Sequence, residues 1–140
     1  MNGLPRLVLD TNVLGRAICG SAPSLELVFR WQAGDYTLCV SDDVIREYEN
    51  ALPKVRMGDP IARAAILDQV RRRIHIAYVT PRRRLRISPH EPDNRIIECA
   101  IEANAIALIT HNEEHFMPWL LGHGIVVSRP REYLPLLPAV

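Results

Sequence analysis

No apolar run in this 140-residue chain approaches the ~20 residues that a membrane span needs. The opening Met1-Asn2-Gly3-Leu4-Pro5 also lacks a charged segment ahead of a long apolar stretch, so a soluble, unprocessed protein is expected. Cysteine is scarce and odd in number. Cys19, Cys39 and Cys99 are scattered among apolar neighbours, which argues against a disulfide framework and predicts reduced thiols packed in the core of a cytoplasmic protein. Charge of either sign is close to balance, with 17 Lys and Arg against 16 Asp and Glu, so bulk charge does not announce a nucleic-acid binder. No G-x-G-x-x-G follows Leu9, which sets aside a dinucleotide enzyme. His111, His115 and His123 with Cys99 invite a zinc reading, and His111 and His115 are spaced to share a helix face. No Cys-x-x-Cys or His-Glu-x-x-His pattern supports it.

What is present is an ordinary globular composition, 48% hydrophobic and 24% charged, in a length that suits one domain over 1–140. The positive charge is local. Arg71-Arg72-Arg73 and Arg82-Arg83-Arg84 with Arg86 crowd one short region, and such a patch is enough to engage phosphates, although a solvated helix end and loop would look the same.

Along the chain, Leu7–Leu9 reads as a buried strand and Val13–Cys19 as a short helix. Pro23–Trp31 carries apolar residues at helical spacing and stops near Gly34. Tyr36–Val40 is a strand, and Ser41-Asp42-Asp43 is well suited to capping a helix over Val44–Leu52. Pro60–Ile76 reads as one long helix, Leu85–Ile87 as a short strand, and Ser88-Pro89-His90-Glu91 as a capping box opening a helix that ends near Ala103. Ala105–Ile109 is another buried strand, Asn112 can cap a helix reaching Leu121, and Gly124–Val127 is the last strand. The tail from Pro130 to Pro138 closes as a short helix or irregularly. Strands alternating with helices predict an α/β domain with a mainly parallel sheet covered on both faces.

The chemistry gathers at element boundaries. Asp10 ends the first strand, where open α/β sheets place their sites. Asp93 lies a turn before Ile97 on a helix whose apolar face packs inward, and Glu47, between Val44 and Ala51, is turned toward the sheet. A few carboxylates in one cleft can hold Mg2+ or Mn2+ and leave positions for phosphate and water. Each acid alone has a plainer reading: Asp10 as a helix cap, Asp93 as a complement to a helix dipole, Glu47 as a surface residue.

Taken together, four segments resemble the motifs of PIN-domain nucleases, in that family's order and across nearly the whole chain. Leu9-Asp10-Thr11-Asn12-Val13-Leu14 resembles the first, and Ser41 to Tyr48 the second, with its acid at Glu47. Pro92 to Ala100 resembles the third, with its acid at Asp93, and Ile109 to Phe116 the fourth. The resemblance implies a single-domain α/β/α sandwich with a central, mainly parallel sheet and a site that cleaves single-stranded RNA with Mg2+ or Mn2+. Asp10, Glu47 and Asp93 would hold the metal. Thr11, Asn12 and Thr110 would orient carboxylates and water, and Asn112 would stand among the catalytic residues. The products would carry 5′-phosphate and 3′-hydroxyl ends; the basic patch, read from its charge and not from the resemblance, would have Arg82, Arg83 and Arg84 grip the RNA. The similar branch is that of toxin components, which implies a cognate antitoxin partner; the sequence leaves the oligomeric state open, a homodimer among the alternatives. One departure matters: many relatives have an aspartate where this chain has Asn112, and some have an acid three residues later, where this chain has His115. Glu113 and Glu114 are the neighbouring acids that could compensate.

A phosphatase of the haloacid type would need an aspartate at position 12, where Asn12 stands. The rival from another class is a catalytically weak module of the same fold that binds RNA or an antitoxin without cutting, and Asn112 is the feature that favours it.

Overall fold

A computed structural model describes residues 3–138. Met1 and Asn2, at the start of the segment read for a targeting signal, lie outside them, as do Ala139 and Val140. Five strands form one sheet: β1 (Arg6–Leu9), β2 (Thr37–Val40), β3 (Ile76–Tyr78), β4 (Ala107–Ile109) and β5 (Val126–Ser128). They lie in the order β3-β2-β1-β4-β5, and every pairing is parallel. Such a sheet is buried on both faces, which is why β1, β2 and β4 read as apolar runs: Leu7, Val8, Leu9, Leu38, Val40, Leu108 and Ile109 are all fully buried.

The helices are α1 (Thr11–Ile18), α2 (Ala22–Gln32), α3 (Asp42–Ala51), α4 (Pro60–Arg71), α5 (Glu91–Glu102), α6 (Met117–Leu120) and α7 (Pro130–Tyr133). The chain steps outward from β1 to β2 to β3, then returns across the sheet to β4 and β5. Right-handed crossovers therefore put α1 to α4 on one face and α5 and α6 on the other, giving the α/β/α sandwich. The reversal sets β1 beside β4, and the crevice at their carboxyl ends is the switch point where such sheets bind ligands.

Local chemistry sets most boundaries. Asp10 caps α1, its carboxylate accepting from the Thr11 N–H. Ser41 caps α3 by accepting from the Val44 N–H, with Asp42 and Asp43 in the first turn complementing the dipole. Gly34 follows α2 with φ +85, and a Cβ there would meet the His75 ring at 2.9 Å, so the chain needs glycine on both counts.

Several sequence expectations are corrected. The helix expected over Pro60–Ile76 ends at Arg71, and a turn with Arg73 and His75 at positive φ leads into the edge strand β3. Leu85–Ile87 is not a strand, because side chains of α5 take its backbone donors: Glu98 accepts from the Leu85 N–H, and Asn94 from those of Ile87 and Ser88. The helix predicted to open on a Ser88-Pro89-His90-Glu91 box starts two residues later, with His90 at the cap position and Pro92 in the first turn; Ser88 Oγ accepts from the His90 N–H instead. Asn112 makes no side-chain cap bond, and the helix expected from it is broken into 3-10 turns at Glu113–His115 and Leu121–His123 around the short α6. The last strand is displaced to Val126–Ser128, while the tail resolves into α7 and a 3-10 turn. Cys39 and Cys99 are buried thiols as expected, but Cys19, just past the end of α1, is exposed.

Candidate active site

The carboxyl ends of β1 and β4 deliver the central side chains. The ladder continues past the strands through the Asp10 N–H to the Ile109 carbonyl at 2.9 Å, which puts Asp10 and Thr110 side by side. Thr110, fully buried, donates its hydroxyl to Asp10 Oδ2 at 2.8 Å, and the Thr11 N–H reaches Oδ1 at 2.8 Å. Both oxygens are thus fixed in orientation with lone pairs to spare. The Asn112 N–H in turn donates to Thr110 Oγ1 at 3.0 Å, and Asn12 Oδ1 accepts from the His111 N–H at 3.4 Å, so the loop after β4 is tied to the loop after β1.

Asp93 faces this pair from the first turn of α5, which runs antiparallel to the sheet and starts at its carboxyl edge. Burial pushes the Asp10 carboxyl up to about 6, with the Asp93 charge adding to the rise and the Thr110 and Thr11 hydrogen bonds opposing it. Asp93 is also raised by burial, against the pull of His115, whose Nδ1 lies 3.2 Å from Asp93 Oδ2. The His115 ring stacks on His90 at 4.6 Å between centroids, with the planes 8° apart. His115 therefore stands beside the two buried acids, at the position where some relatives are expected to carry an acid of their own.

The remaining sequence candidates are placed less centrally. Glu47 is half-buried on α3 and lines a groove between α3 and α5 together with Arg84, Pro92 and Arg95. Its helix is pinned beside the site by the next residue, Tyr48, whose buried hydroxyl donates to the Leu9 carbonyl. Asn112 is exposed, Glu113 is held by Arg129 at 2.7 Å, and Glu114 is exposed. In the basic loop, Arg82 pairs with Glu102 at 3.2 Å and Arg84 with Asp43 at 2.8 Å; Arg83 is exposed and forms no ion pair among the described residues. The histidines of the zinc reading part company: His111 bonds Ser24, and His115 turns to Asp93.

Two groups of site residues were missed by sequence reasoning. Asn94, Arg95 and Glu98 are buried on α5, where their polarity suggested a solvent face, and they clamp the 85–88 loop. The fully buried Ser24 Oγ lies 3.2 Å from His111 Nε2, fixing the loop after β4 from α2. Burial and the charges of Arg16 and Arg129 hold the His111 pKa down, which favours the neutral ring in that contact. The only signal for either in sequence is a polar residue at a helical position that turns out to face inward.

The donor set fits a hard divalent cation. Asp10 and Asp93 crowd like charges in a buried crevice, the condition a cation relieves, and Thr11 Oγ1 is buried with no hydrogen-bond partner among the described residues. All of these are oxygen ligands. Among the described residues no three His, Cys, Asp or Glu side chains are grouped as a metal site, so Asp10 and Asp93 stand as a pair and Glu47, expected as the third ligand, is not brought up to them from α3. No described helix is long and apolar enough to cross a membrane.

A family model described as PIN domain matches residues 6–114, a span that contains Asp10, Glu47, Asp93, Thr110 and Asn112. No curated protein matches the chain.

Proposed function

The chain belongs to the PIN-domain family, whose members are generally nucleases that act on RNA with Mg2+ or Mn2+ in the site, and from that premise we propose a metal-dependent endoribonuclease that cleaves single-stranded RNA. The observation that carries this reading is the pairing of Asp10 with Asp93 at the switch point, with the Asp10 carboxyl raised to about 6 by burial and by its neighbour. With Asn112 at the edge of the site and Glu47 completing the set only by moving in from α3, Asp10 and Asp93 would hold the cation. When bound, it would polarise a phosphoryl oxygen and lower the pKa of a coordinated water.

The protein's own part is positioning. Thr110 and the Thr11 N–H fix the Asp10 carboxylate, and Thr110 is itself fixed by the Asn112 N–H. Asn12 holds the His111 backbone, and His115 holds Asp93. Arg82, Arg83 and Arg84 engage the backbone phosphates of the strand. Within this reading the protein is the toxin of a type II toxin-antitoxin pair, acts on cytoplasmic RNA, is restrained by a cognate antitoxin and self-associates as a homodimer.

A gel assay of single-stranded RNA with Mn2+ against a chelator control tests the activity; the expected products carry 5′-phosphate and 3′-hydroxyl ends. The exposed amide of Asn112 and the imidazole of His115 support a second reading, a catalytically weak module that binds RNA or an antitoxin. RNA binding with no cleavage at any metal concentration would establish that reading in place of the first. Growth arrest on expression, relieved by a small protein encoded alongside, tests the toxin role.

A further inference from the structure

The helix that carries Asp93 also carries, two residues on, a buried arginine whose donors are only partly used. Arg95 is 7% exposed. Its Nη2 donates to the Leu85 carbonyl and lies 3.2 Å from buried Glu98, while Nε and Nη1 have no hydrogen-bond acceptor among the described residues. A desolvated guanidinium with unmet donors is unfavourable unless an acceptor from outside the fold supplies the missing bonds. The nearest candidate inside the fold does not do so. Glu91 Oε1 stands 3.4 Å from Nε without forming a hydrogen bond, and its side chain is 68% exposed.

Arg95 forms part of the wall of a groove of about 240 Å3 between α3 and α5, which Arg46, Glu47, Arg84 and Ile96 also line. Arg46 and Arg84 share Asp43, at 3.0 and 2.8 Å. Glu91 sits at the rim, its Oε2 accepting from Asn94 Nδ2 at a long 3.4 Å, a carboxylate in the place that the oxygen of an incoming anion would take.

We propose that this groove is a phosphate subsite of the RNA-binding surface, in which a backbone phosphate of the single strand displaces Glu91 and takes up the free donors of Arg95, with Arg84 across the groove. The inference rests on the reading of RNA as substrate and adds where the strand is gripped. Arginine suits the role because a phosphate oxygen meets its N–H groups in charge-assisted bonds that a lysine ammonium cannot reproduce in direction. The position suits it because Glu47 and Pro92, the residue before Asp93, share the groove.

The test uses the full chain in chelator, so that cleavage is silent, and a fluorescein-labelled ten-nucleotide single-stranded RNA read by anisotropy. Glu91→Gln removes the competing carboxylate and tightens binding several-fold. Arg95→Lys weakens it about tenfold, as expected for loss of one charge-assisted bond, and abolishes the gain from Glu91→Gln in the double variant. A single methylphosphonate in the RNA, at one position, weakens binding to the parent but not to Arg95→Lys. Arg95 also holds the 85–88 loop, so circular dichroism accompanies each variant; should Arg95→Lys unfold, Arg84→Gln, on an exposed side chain, takes its place in the same comparisons. A Glu91→Gln gain that persists unchanged beside the arginine variant, a methylphosphonate effect equal in both proteins, or no measurable binding overturns the subsite. Cleavage with Mn2+ is followed in parallel. A protein that shows the coupling but never cuts keeps the subsite and refutes the nuclease reading, whereas one that cuts without the coupling refutes the subsite alone.

Discussion

Replacing Asp10 by Asn should make the metal-free protein more stable at neutral pH while removing its chemistry. The folded Asp10 carboxyl titrates near 6 instead of 3.8, and at 1.36 kcal/mol per pKa unit its ionisation costs the native state roughly 3 kcal/mol at pH 7. The sign follows from the raised value: the penalty is absent below about pH 4, grows between 4 and 6, and is complete above pH 7. An asparagine is never charged, so it escapes the penalty. It also keeps one oxygen to accept from the Thr11 N–H, but its amide must then face Thr110, whose hydroxyl loses its acceptor, a loss of about 1 kcal/mol. The balance is a gain of roughly 2 kcal/mol, or about 4–8 °C in Tm for a domain of this size.

Calorimetry in chelator at pH 4.5 and pH 7.5 reads this directly. The parent should lose stability relative to the variant as the pH rises, and the two should converge toward the acid end. Mn2+ should then stabilise the parent and leave the variant unmoved, because only the former gains from binding at the paired acids. A variant less stable than the parent at pH 7.5, or a gap that does not change with pH, would show that Asp10 is not a strained acid beside Asp93. Undiminished cleavage in the variant would remove Asp10 from the site.

Other outcomes follow from neighbouring contacts. Converting Arg82, Arg83 and Arg84 to Ala should flatten the salt dependence of RNA binding by up to about 2 in log–log slope, at roughly 0.7 per phosphate on a single strand, while costing little stability because the Arg82–Glu102 and Arg84–Asp43 pairs are exposed. Equal slopes would place the strand elsewhere. Asn112→Asp, on an exposed and nearly isosteric side chain, should shift the Mn2+ dependence of cleavage to lower concentration; an unchanged midpoint and maximal rate would put position 112 outside the metal site. Ser24→Ala should lower Tm by a few degrees through loss of the buried bond to His111, worth about 1 kcal/mol, and an unaltered melt would mean that the bond is not made in solution.

The parts of the fold that sequence foretold are those specified by neighbours in the chain. An apolar run ending in Asp10 is a buried strand whose last residue caps the next helix, and Ser41-Asp42-Asp43 starts α3 for reasons contained in one turn. The misreadings lie where distant segments decide. Leu85–Ile87 has strand-like residues, yet its donors are claimed by Glu98 and Asn94, a later helix that no local pattern connects to it. The strand β3 goes unread, with only its first residue, Ile76, falling in the expected helix, because Arg73 and His75 adopt positive φ without being glycine, so nothing in their identity marks the turn.

The same division runs through the site and explains why its least expected members are polar residues turned inward. Asp10 and Asp93 can be picked out from sequence because strand ends and first helical turns converge at the switch point of a parallel sheet, whatever the details of the loops. Arg95 and Glu98 sit on the same helix as Asp93, but a helical pattern assigns their polarity to solvent. They are buried because the arginine-rich loop folds back over that face, with its Leu85 backbone held by both of them. The loop that carries the most conspicuous positive charge is thus anchored to the helix that carries a buried acid of the site, so whatever binds Arg82 to Arg84 acts on a segment tied to Asn94 and Arg95, the two residues after Asp93. On the proposed subsite, the unmet donors of Arg95 therefore act together with the exposed arginines in setting where a strand lies.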